Sequence, residues 1–294
     1  MSWNMLTECM DIIENSLDRE EIKKISRILY GLYDPFLLDQ KIWTVIEEVF
    51  PTEVYKKIEH YKSSIVGHDI VNGLVLKNFP GEITIKYHFI KNYLNKFDEI
   101  TTFELNIGTS RLDIGRVNGK SIAYEIKTEL DSLEKLEKQL NDYSKVFEYI
   151  YVIIHPHHLE KVKKIVPQHC GIITYNLVDN SCKFTFRKKA EKNKNICTSE
   201  QLKTMTKKEL DWVLKQFKSI VVPSNRAEKE KIICNNYHPQ KVNTLFKKVL
   251  KRRYSTKWEY LCDKFVQILP IDIQVFYSTQ ADPYWIYYKN SSIV

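Results

Sequence analysis

Glycine, proline and cysteine are scarce in this sequence, and long apolar runs are missing. Eight Gly and nine Pro among 294 residues, without any low-complexity tract, exclude the fibrous and disordered classes. The six cysteines form no CxxC pair, which argues against a disulfide framework or a zinc ribbon. No apolar run approaches the roughly 20 residues that span a bilayer, and the first residues are acidic where a signal peptide is basic. We therefore predict a folded cytoplasmic protein that is not embedded in a membrane.

The charge is unevenly distributed along the chain. Residues 177–294 contain 23 Lys and Arg against 11 Asp and Glu, a net charge of +12, whereas residues 1–176 contain 22 and 26, a net charge of −4. A basic region of this kind is typical of a surface that binds a polyanion. Solvated helix faces give the same composition, so the charge alone leaves both interpretations open.

Hydrophobic periodicity divides the chain into three regions. Residues 1–76 carry apolar residues at spacings of three and four, which predicts helices. Residues 77–190 predict an α/β core in the order helix, three strands, helix, strand, helix, strand, and Asp131 with Glu134 predicts a capping box at the start of the second helix. Residues 191–294 predict basic helices followed by an aromatic tail.

The segment RLDIGRVNGKSIAYEIK, residues 111–127, predicts a hairpin around Asn118-Gly119. Glu125 and Lys127 share a face because they are two residues apart on a strand. A two-residue turn would put Asp113 on the opposite face. A three-residue turn of Val117, Asn118 and a left-handed Gly119 would put Asp113 on the same face. If the two acids form a site, the turn must therefore contain an odd number of residues.

Two carboxylates on one face repel each other unless a cation lies between them. Hard divalent ions such as Mg²⁺ prefer carboxylate and carbonyl oxygens, and a neighbouring lysine can orient an attacking water and offset charge on a phosphate oxygen. These groups together suit metal-assisted hydrolysis of a phosphodiester.

The same residues resemble the signature of a known superfamily. Asp113, followed after eleven residues by Glu125-Ile126-Lys127, resembles the D…(D/E)-X-K motif of the PD-(D/E)XK nucleases, and the order of elements is similar to their common core. Gln139 and Tyr143 on the next helix resemble the QxxxY motif of the RecB-like branch. The pattern over residues 80–190 resembles more closely a poorly characterised bacterial family of this superfamily.

This resemblance implies a fold and a set of catalytic residues. The fold would be a restriction-endonuclease-like α/β core, and the cofactor would be Mg²⁺, with Mn²⁺ as a substitute. Asp113 and Glu125 would bind the metal with the Ile126 carbonyl as a further ligand, and Lys127 would serve the nucleophile. Leu112 stands where the proline that names the motif is expected.

Further site residues follow from the resemblance and from charge. The superfamily often adds an acid from its first core helix, which would be Glu82, and Glu104 on the first strand is the competing candidate. Arg111 shares a face with Asp113 and would contact either a phosphate or an acid. The candidate substrate contacts are Arg111, Gln139, Tyr143, Lys251, Arg252 and Arg253.

The sequence thus predicts a Mg²⁺-dependent nuclease that cuts DNA in preference to RNA, with phage defence or a mobile element as the setting. The alternative is an inactive module that keeps the nuclease fold and binds nucleic acid or a protein partner. Association with a protein partner or as a homodimer is left open.

Overall fold

The computed structural model describes residues 2–79, 81–178, 181–218 and 222–289. The chain forms two compact units. The first comprises Met1–His88, Val178–Ser181 and Glu259–Val294, and the second comprises Phe89–Leu177 and Cys182–Trp258. The C-terminal segment therefore groups with the N-terminal helices, so the units divide the chain at other places than the predicted boundaries at 76 and 190. Among the described residues, no helix has the length and apolar character needed to cross a bilayer.

Thirteen α-helices occur in the described ranges, and the first five lie within residues 2–78. They are α1 Ser2–Ser16, α2 Arg19–Leu32, α3 Asp39–Val49, α4 Thr52–Ile58, α5 Gly67–Asn78, α6 Glu82–Lys91, α7 Leu136–Ser144, α8 Leu159–Ile165, α9 Thr198–Lys203, α10 Lys207–Gln216, α11 Arg226–Asn236, α12 Pro239–Lys264 and α13 Ile273–Thr279. The start of α2 shows why such segments are helical. Asp18 accepts from the N–H of Glu21, and the Glu21 side chain accepts from the N–H of Asp18, so each satisfies a donor that the first turn leaves unpaired.

The first unit contains a buried polar network around Asp272. Its Oδ2 accepts from the hydroxyls of Tyr33 at 2.9 Å and Tyr287 at 2.6 Å, and the Asn72 amide lies 3.5 Å away. The Tyr33 hydroxyl also lies 2.9 Å from His68 Nδ1. These bonds join the N-terminal helices to the C-terminal segment of the same unit. They stabilise this arrangement, because a buried polar group is costly without partners.

The described residues also form a six-stranded mixed sheet, which establishes the α/β class. The strands are β1 Ile100–Ile107, β2 Ser110–Val117, β3 Ser121–Lys127, β4 Tyr149–Ile154, β5 Gly171–Val178 and β6 Ser181–Lys188. They lie side by side in chain order. β1, β2 and β3 pair antiparallel, and β3, β4 and β5 pair parallel. The predicted order from α6 to β5 is confirmed, whereas β6 was not predicted.

The turn between β2 and β3 contains three residues, as the site requires. Val117 pairs with Ser121, so the turn consists of Asn118, Gly119 and Lys120. Gly119 has a φ of 88°, the left-handed conformation that glycine adopts at little cost. The odd length and the left-handed glycine are confirmed, but the prediction that Val117 belongs to the turn is wrong, since Val117 continues the ladder.

The capping box predicted for the helix after β3 is also wrong. The helix α7 begins at Leu136, beyond both predicted capping residues. The Asp131 carboxylate instead accepts from the backbone N–H and the hydroxyl of Thr128, each at 2.6 Å. A local turn therefore competes successfully with the helix for the same side chain.

Glu148, immediately before β4, anchors the hairpin within the second unit. It accepts from the Ser121 N–H at 2.8 Å, from Asn243 at 2.9 Å and from Lys247 at 3.1 Å. Lys247 also donates to the Gly119 carbonyl at 2.7 Å. Burial alone would raise the pKa of Glu148, but the Ser121 and Lys247 bonds hold it below its ordinary value. The basic helix α12 therefore fixes the conformation of the turn.

We predict that Asp272 makes the stability of the protein depend on pH. Burial raises its pKa from 3.8 to about 7, against the donors from Tyr287 and Tyr33. Between these values the folded chain holds a proton that the unfolded chain releases, so the free energy of unfolding falls as the pH rises through this interval. His68 stays neutral there, because burial lowers its pKa to about 4. Asp272→Asn should remove this component, worth up to about 4 kcal/mol.

Urea unfolding at pH 5 and pH 8 measures the effect. The difference in unfolding free energy between the two pH values should be smaller in Asp272→Asn than in the unsubstituted chain. Asp263→Asn, at a position whose side chain is 75% exposed, is the control and should leave the difference unchanged. An equal difference in Asp272→Asn and the unsubstituted chain would contradict the prediction.

Candidate active site

Two buried carboxylates face each other across β2 and β3. The last assigned pair of this ladder is Ile114 with Tyr124, and one further step in the same register sets Asp113 opposite Glu125. Directly opposed residues of an antiparallel pair lie on the same face. Asp113 is 8% exposed and Glu125 is 1% exposed. The structure therefore brings the two predicted acids together on one side of the sheet.

Each of the two carboxylates has identified donors. Asp113 Oδ2 accepts from the backbone N–H of Ile126 at 2.6 Å. Glu125 Oε1 lies 2.8 Å from Lys127 Nζ, and Glu125 Oε2 lies 2.7 Å from the hydroxyl of Tyr143. The ion pair keeps Lys127, whose side chain is 13% exposed, at the end of β3 beside Glu125. All three residues of the predicted motif are thus assembled, and the role of the Ile126 carbonyl as a metal ligand stays a prediction.

Tyr143 connects α7 to both strands of the hairpin. Its hydroxyl lies 2.7 Å from Glu125 Oε2 and 2.9 Å from the backbone carbonyl of Arg111. A phenol has one proton, so it donates to one of these acceptors at a time. Burial, and then the charge of Glu125, raise the pKa of Tyr143. The residue is therefore a neutral donor that positions Glu125 and β2.

Glu104 on β1 has a backbone conformation that glutamate rarely adopts. It lies between the pairs Phe103 with Ile114 and Leu105 with Leu112, which sets it opposite Asp113. Its φ is 55°, a left-handed value that costs a non-glycine residue on the order of 1–3 kcal/mol. A carboxylate oxygen of Glu104 lies within 4.8 Å of one of Asp113. The left-handed backbone of Glu104 therefore directs its own carboxylate toward Asp113, as a second acid in addition to Glu125.

Glu104 also forms the ion pair that the sequence left open for Arg111. Arg111 Nε lies 2.5 Å from Glu104 Oε2, and the Arg111 side chain is 69% exposed. This arginine therefore contacts an acid, although the acid is Glu104 and the remaining guanidinium donors face solvent. Contact with a substrate phosphate stays a prediction.

Two further predicted site residues, Glu82 and Gln139, belong to different units of the chain. Glu82 belongs to the first unit, where it forms an ion pair with Lys86 at 2.5 Å, and its catalytic role stays a prediction. Gln139 lies one turn before Tyr143 on α7 and is half-buried, and its Oε1 atom accepts from no described residue. The Gln139 side chain acts to lower the pKa of Tyr143, and its contact with a substrate stays a prediction.

Two of the predicted phosphate contacts on α12, Lys251 and Arg253, contact acids of the second unit. Lys251 forms an ion pair with Asp98 and donates to the Asp98 carbonyl. Arg253 Nε lies 2.7 Å from Glu209. The three predicted phosphate contacts are therefore not equivalent, because only Arg252 among them is exposed and lacks an acidic partner in the described part of the chain.

Asp142, which no sequence pattern singled out, fixes α7 against the hairpin. Ser110 Oγ donates to Asp142 Oδ2 at 2.8 Å, and Lys145 lies 3.2 Å from Oδ1. Burial acts to raise the pKa of Asp142, but the bonds from Ser110 and Lys145 lower it. Its position next to Tyr143 was the available signal. An acid at that position can tie the helix to β2, so that the Tyr143 hydroxyl reaches Glu125.

The fold and the site together define the class of this chain: a mixed α/β protein with an acidic cluster and a lysine at one end of a hairpin. The chain belongs to the family described as Bacteriophage P4 protein cII, which matches residues 82–276, about two thirds of the sequence. The matched range includes every strand and every candidate site residue.

One relative and one solved structure show how distant the similarities are. Protein cII of Enterobacteria phage P4 is 23% identical over 172 residues, which cover 58% of this chain and 64% of that protein. The chain thus spans less than two thirds of its relative. The SPO1766 protein of unknown function from Silicibacter pomeroyi is 10% identical, with a TM-score of 0.29 over 51% of this chain and 88% of the other. The names of these two proteins state no activity.

We predict that the strain at Glu104 reverses the usual order of glycine and alanine in a strand. Both Glu104→Gly and Glu104→Ala remove the carboxylate, but only glycine adopts a φ of 55° without a steric penalty. The glycine variant should therefore be the more stable of the two by about 1 kcal/mol.

Asn106, exposed on the same strand, is the matched control. Asn106→Gly should be less stable than Asn106→Ala by roughly 0.5–1 kcal/mol, as is usual within a strand. Chemical denaturation of the four variants gives both differences. The same sign at both positions would contradict the strained conformation of Glu104.

Proposed function

We propose that the protein is a divalent-metal-dependent nuclease with a restriction-endonuclease-like core. The observation that carries this proposal is the pair of buried acids Asp113 and Glu125 with the partly buried Lys127 at one end of the hairpin, and the Glu104 carboxylate beside that of Asp113. Carboxylates that share one side of a sheet repel each other, and a hard cation that takes oxygen ligands offsets the repulsion. The resemblance to the PD-(D/E)XK motif supports the same chemistry.

The residues present fit Mg²⁺ as the cofactor, with Mn²⁺ as a substitute. Asp113, together with Glu125 or Glu104, would hold the ion, and Ile126 would add its carbonyl. Bound Mg²⁺ supplies positive charge to the scissile phosphate and lowers the pKa of an attacking water.

The protein residues contribute positioning and charge. Lys127 is fixed beside Glu125 by an ion pair at 2.8 Å. Its remaining N–H groups would orient the water and stabilise the negative charge that develops on the phosphate. Tyr143 holds Glu125, and the outward donors of Arg111 would contact a neighbouring phosphate.

The basic residues 177–294 suit a nucleic-acid substrate, and we expect DNA to be cut in preference to RNA. The relative protein cII is a protein of phage P4, which agrees with a role in a mobile element or in phage defence inside the cell. The proposed location is the cytoplasm.

A second candidate is an inactive module that keeps this fold and binds nucleic acid or a protein partner. The bonds to Glu125 favour it, because Lys127 and Tyr143 already occupy both oxygens of this carboxylate. The charge of Glu125 is therefore compensated within the protein without a metal. In the inactive module, Glu125 and Lys127 would have a structural role alone.

We predict that metal-dependent cleavage requires the hairpin residues. Asp113→Asn removes a charge that binds the metal, and Lys127→Ala removes the ammonium. Each should lower the cleavage rate by at least about 100-fold. The assay uses single-stranded DNA, double-stranded DNA and RNA, with Mg²⁺, with Mn²⁺ and with a chelator.

Lys161→Ala, an exposed lysine of α8, is the control and should cut at the rate of the unsubstituted chain. Cleavage that survives Asp113→Asn and Lys127→Ala would exclude this site. Binding of nucleic acid without cleavage under every metal condition would instead support the inactive module.

A further inference from the structure

A small cavity between α10 and α12 collects basic side chains of the second unit. Its volume is about 220 Å³, smaller than the roughly 300 Å³ at which pockets for drug-sized ligands begin. The lining residues are Lys208, Glu209 and Trp212 of α10 with Val249, Arg252 and Arg253 of α12. The volume suits one phosphate group better than a whole nucleotide.

Glu209 and Arg253 neutralise each other in the wall of this cavity. Arg253 Nε lies 2.7 Å from Glu209 Oε1, and Arg253 also donates to the Thr204 carbonyl at 2.9 Å. Glu209 accepts from the Thr206 N–H at 2.6 Å as part of a capping box. Arg253 therefore joins α12 to the start of α10, and its charge is offset by Glu209.

Lys208 and Arg252 supply the remaining charge. Both are exposed, and neither contacts an acid among the residues that the structure describes. Once the Glu209 and Arg253 pair is set aside, the cavity carries two positive charges and no negative one. Such a site attracts an anion.

Trp212 fixes the orientation of Arg252. The Cζ atom of Arg252 lies 4.5 Å from the centre of the Trp212 ring, within the range of a cation–π contact. A guanidinium held in this way loses little freedom on binding, and its planar fork of N–H donors matches two oxygens of a phosphate. Trp212 is thus a positioning residue for Arg252.

We propose that this cavity binds a phosphate of a nucleic-acid backbone, with Arg252 as the bidentate donor and Lys208 as a second charge. The inference rests on the proposed function for taking the polyanion to be nucleic acid. It does not require cleavage, because the cavity uses none of the hairpin residues.

The test measures binding of a fluorescently labelled 20-nucleotide DNA, single-stranded and double-stranded, by anisotropy over a series of salt concentrations. All proteins carry Asp113→Asn, so that cleavage does not disturb the measurement. Arg252→Ala and Lys208→Ala should each weaken binding by roughly threefold to tenfold and lower the slope of log K against log salt by about 1. Arg252→Lys keeps the charge, so it should keep the slope while it weakens binding.

Two further variants separate positioning from charge. Trp212→Leu should weaken binding to the level of Arg252→Lys without a change in slope, and Trp212→Phe should restore most of the loss because it keeps an aromatic face. Lys215→Ala, an exposed lysine of α10 outside the cavity, is the control for general charge and should change the affinity less than either cavity variant.

The outcomes are distinguishable from those of the nuclease proposal. The phosphate site would be overturned if Arg252→Ala and Lys208→Ala bound DNA with the same affinity and the same salt slope as Lys215→Ala. It would also be overturned if the protein bound no DNA at low salt. If DNA binding depended on Arg252, but the protein with Asp113 restored cut no nucleic acid, the phosphate site would be supported and the nuclease proposal would be contradicted.

Discussion

The structure of the second unit depends on one constraint, which is that Asp113 and Glu125 must be buried opposite each other. A buried carboxylate is costly unless charge and hydrogen bonds compensate it. The Ile126 N–H compensates Asp113, while Lys127 and Tyr143 compensate Glu125. The same requirement explains why α7 approaches the hairpin, since its tyrosine supplies a donor that the sheet lacks.

That constraint is met only while the hairpin turn keeps its three residues. The turn is held from outside the hairpin, because Lys247 of α12 donates to Gly119 and to Glu148, and Glu148 accepts from Ser121. Part of the basic C-terminal charge therefore has a structural role in the core. The exposed basic residues, among them Lys208 and Arg252, are the part that can bind an anion. Charge composition alone does not separate the two roles.

The local rules that predicted the hairpin worked because they depend on neighbouring residues. Asn118-Gly119 predicted a turn, and the chemistry of the acids required it to be odd. Other features depend on contacts that are distant in sequence. The alternation that marks β6 is limited to Phe184 and Phe186 within a polar segment, and Arg253 finds its acid 44 residues away. The left-handed conformation of Glu104 has no signal in the sequence, because propensity disfavours it and tertiary structure overrides propensity.

The proposed function requires a divalent cation at the facing acids. Diffraction from a crystal of the protein soaked in Mn²⁺ can detect it, because the ion is located by its anomalous scattering. We expect an anomalous peak within about 2.5 Å of a carboxylate oxygen of Asp113, with a second carboxylate from Glu125 or Glu104 among the ligands. A crystal in which manganese occupies other sites, while Lys127 and Tyr143 still bind Glu125 and no peak lies at Asp113, would contradict it.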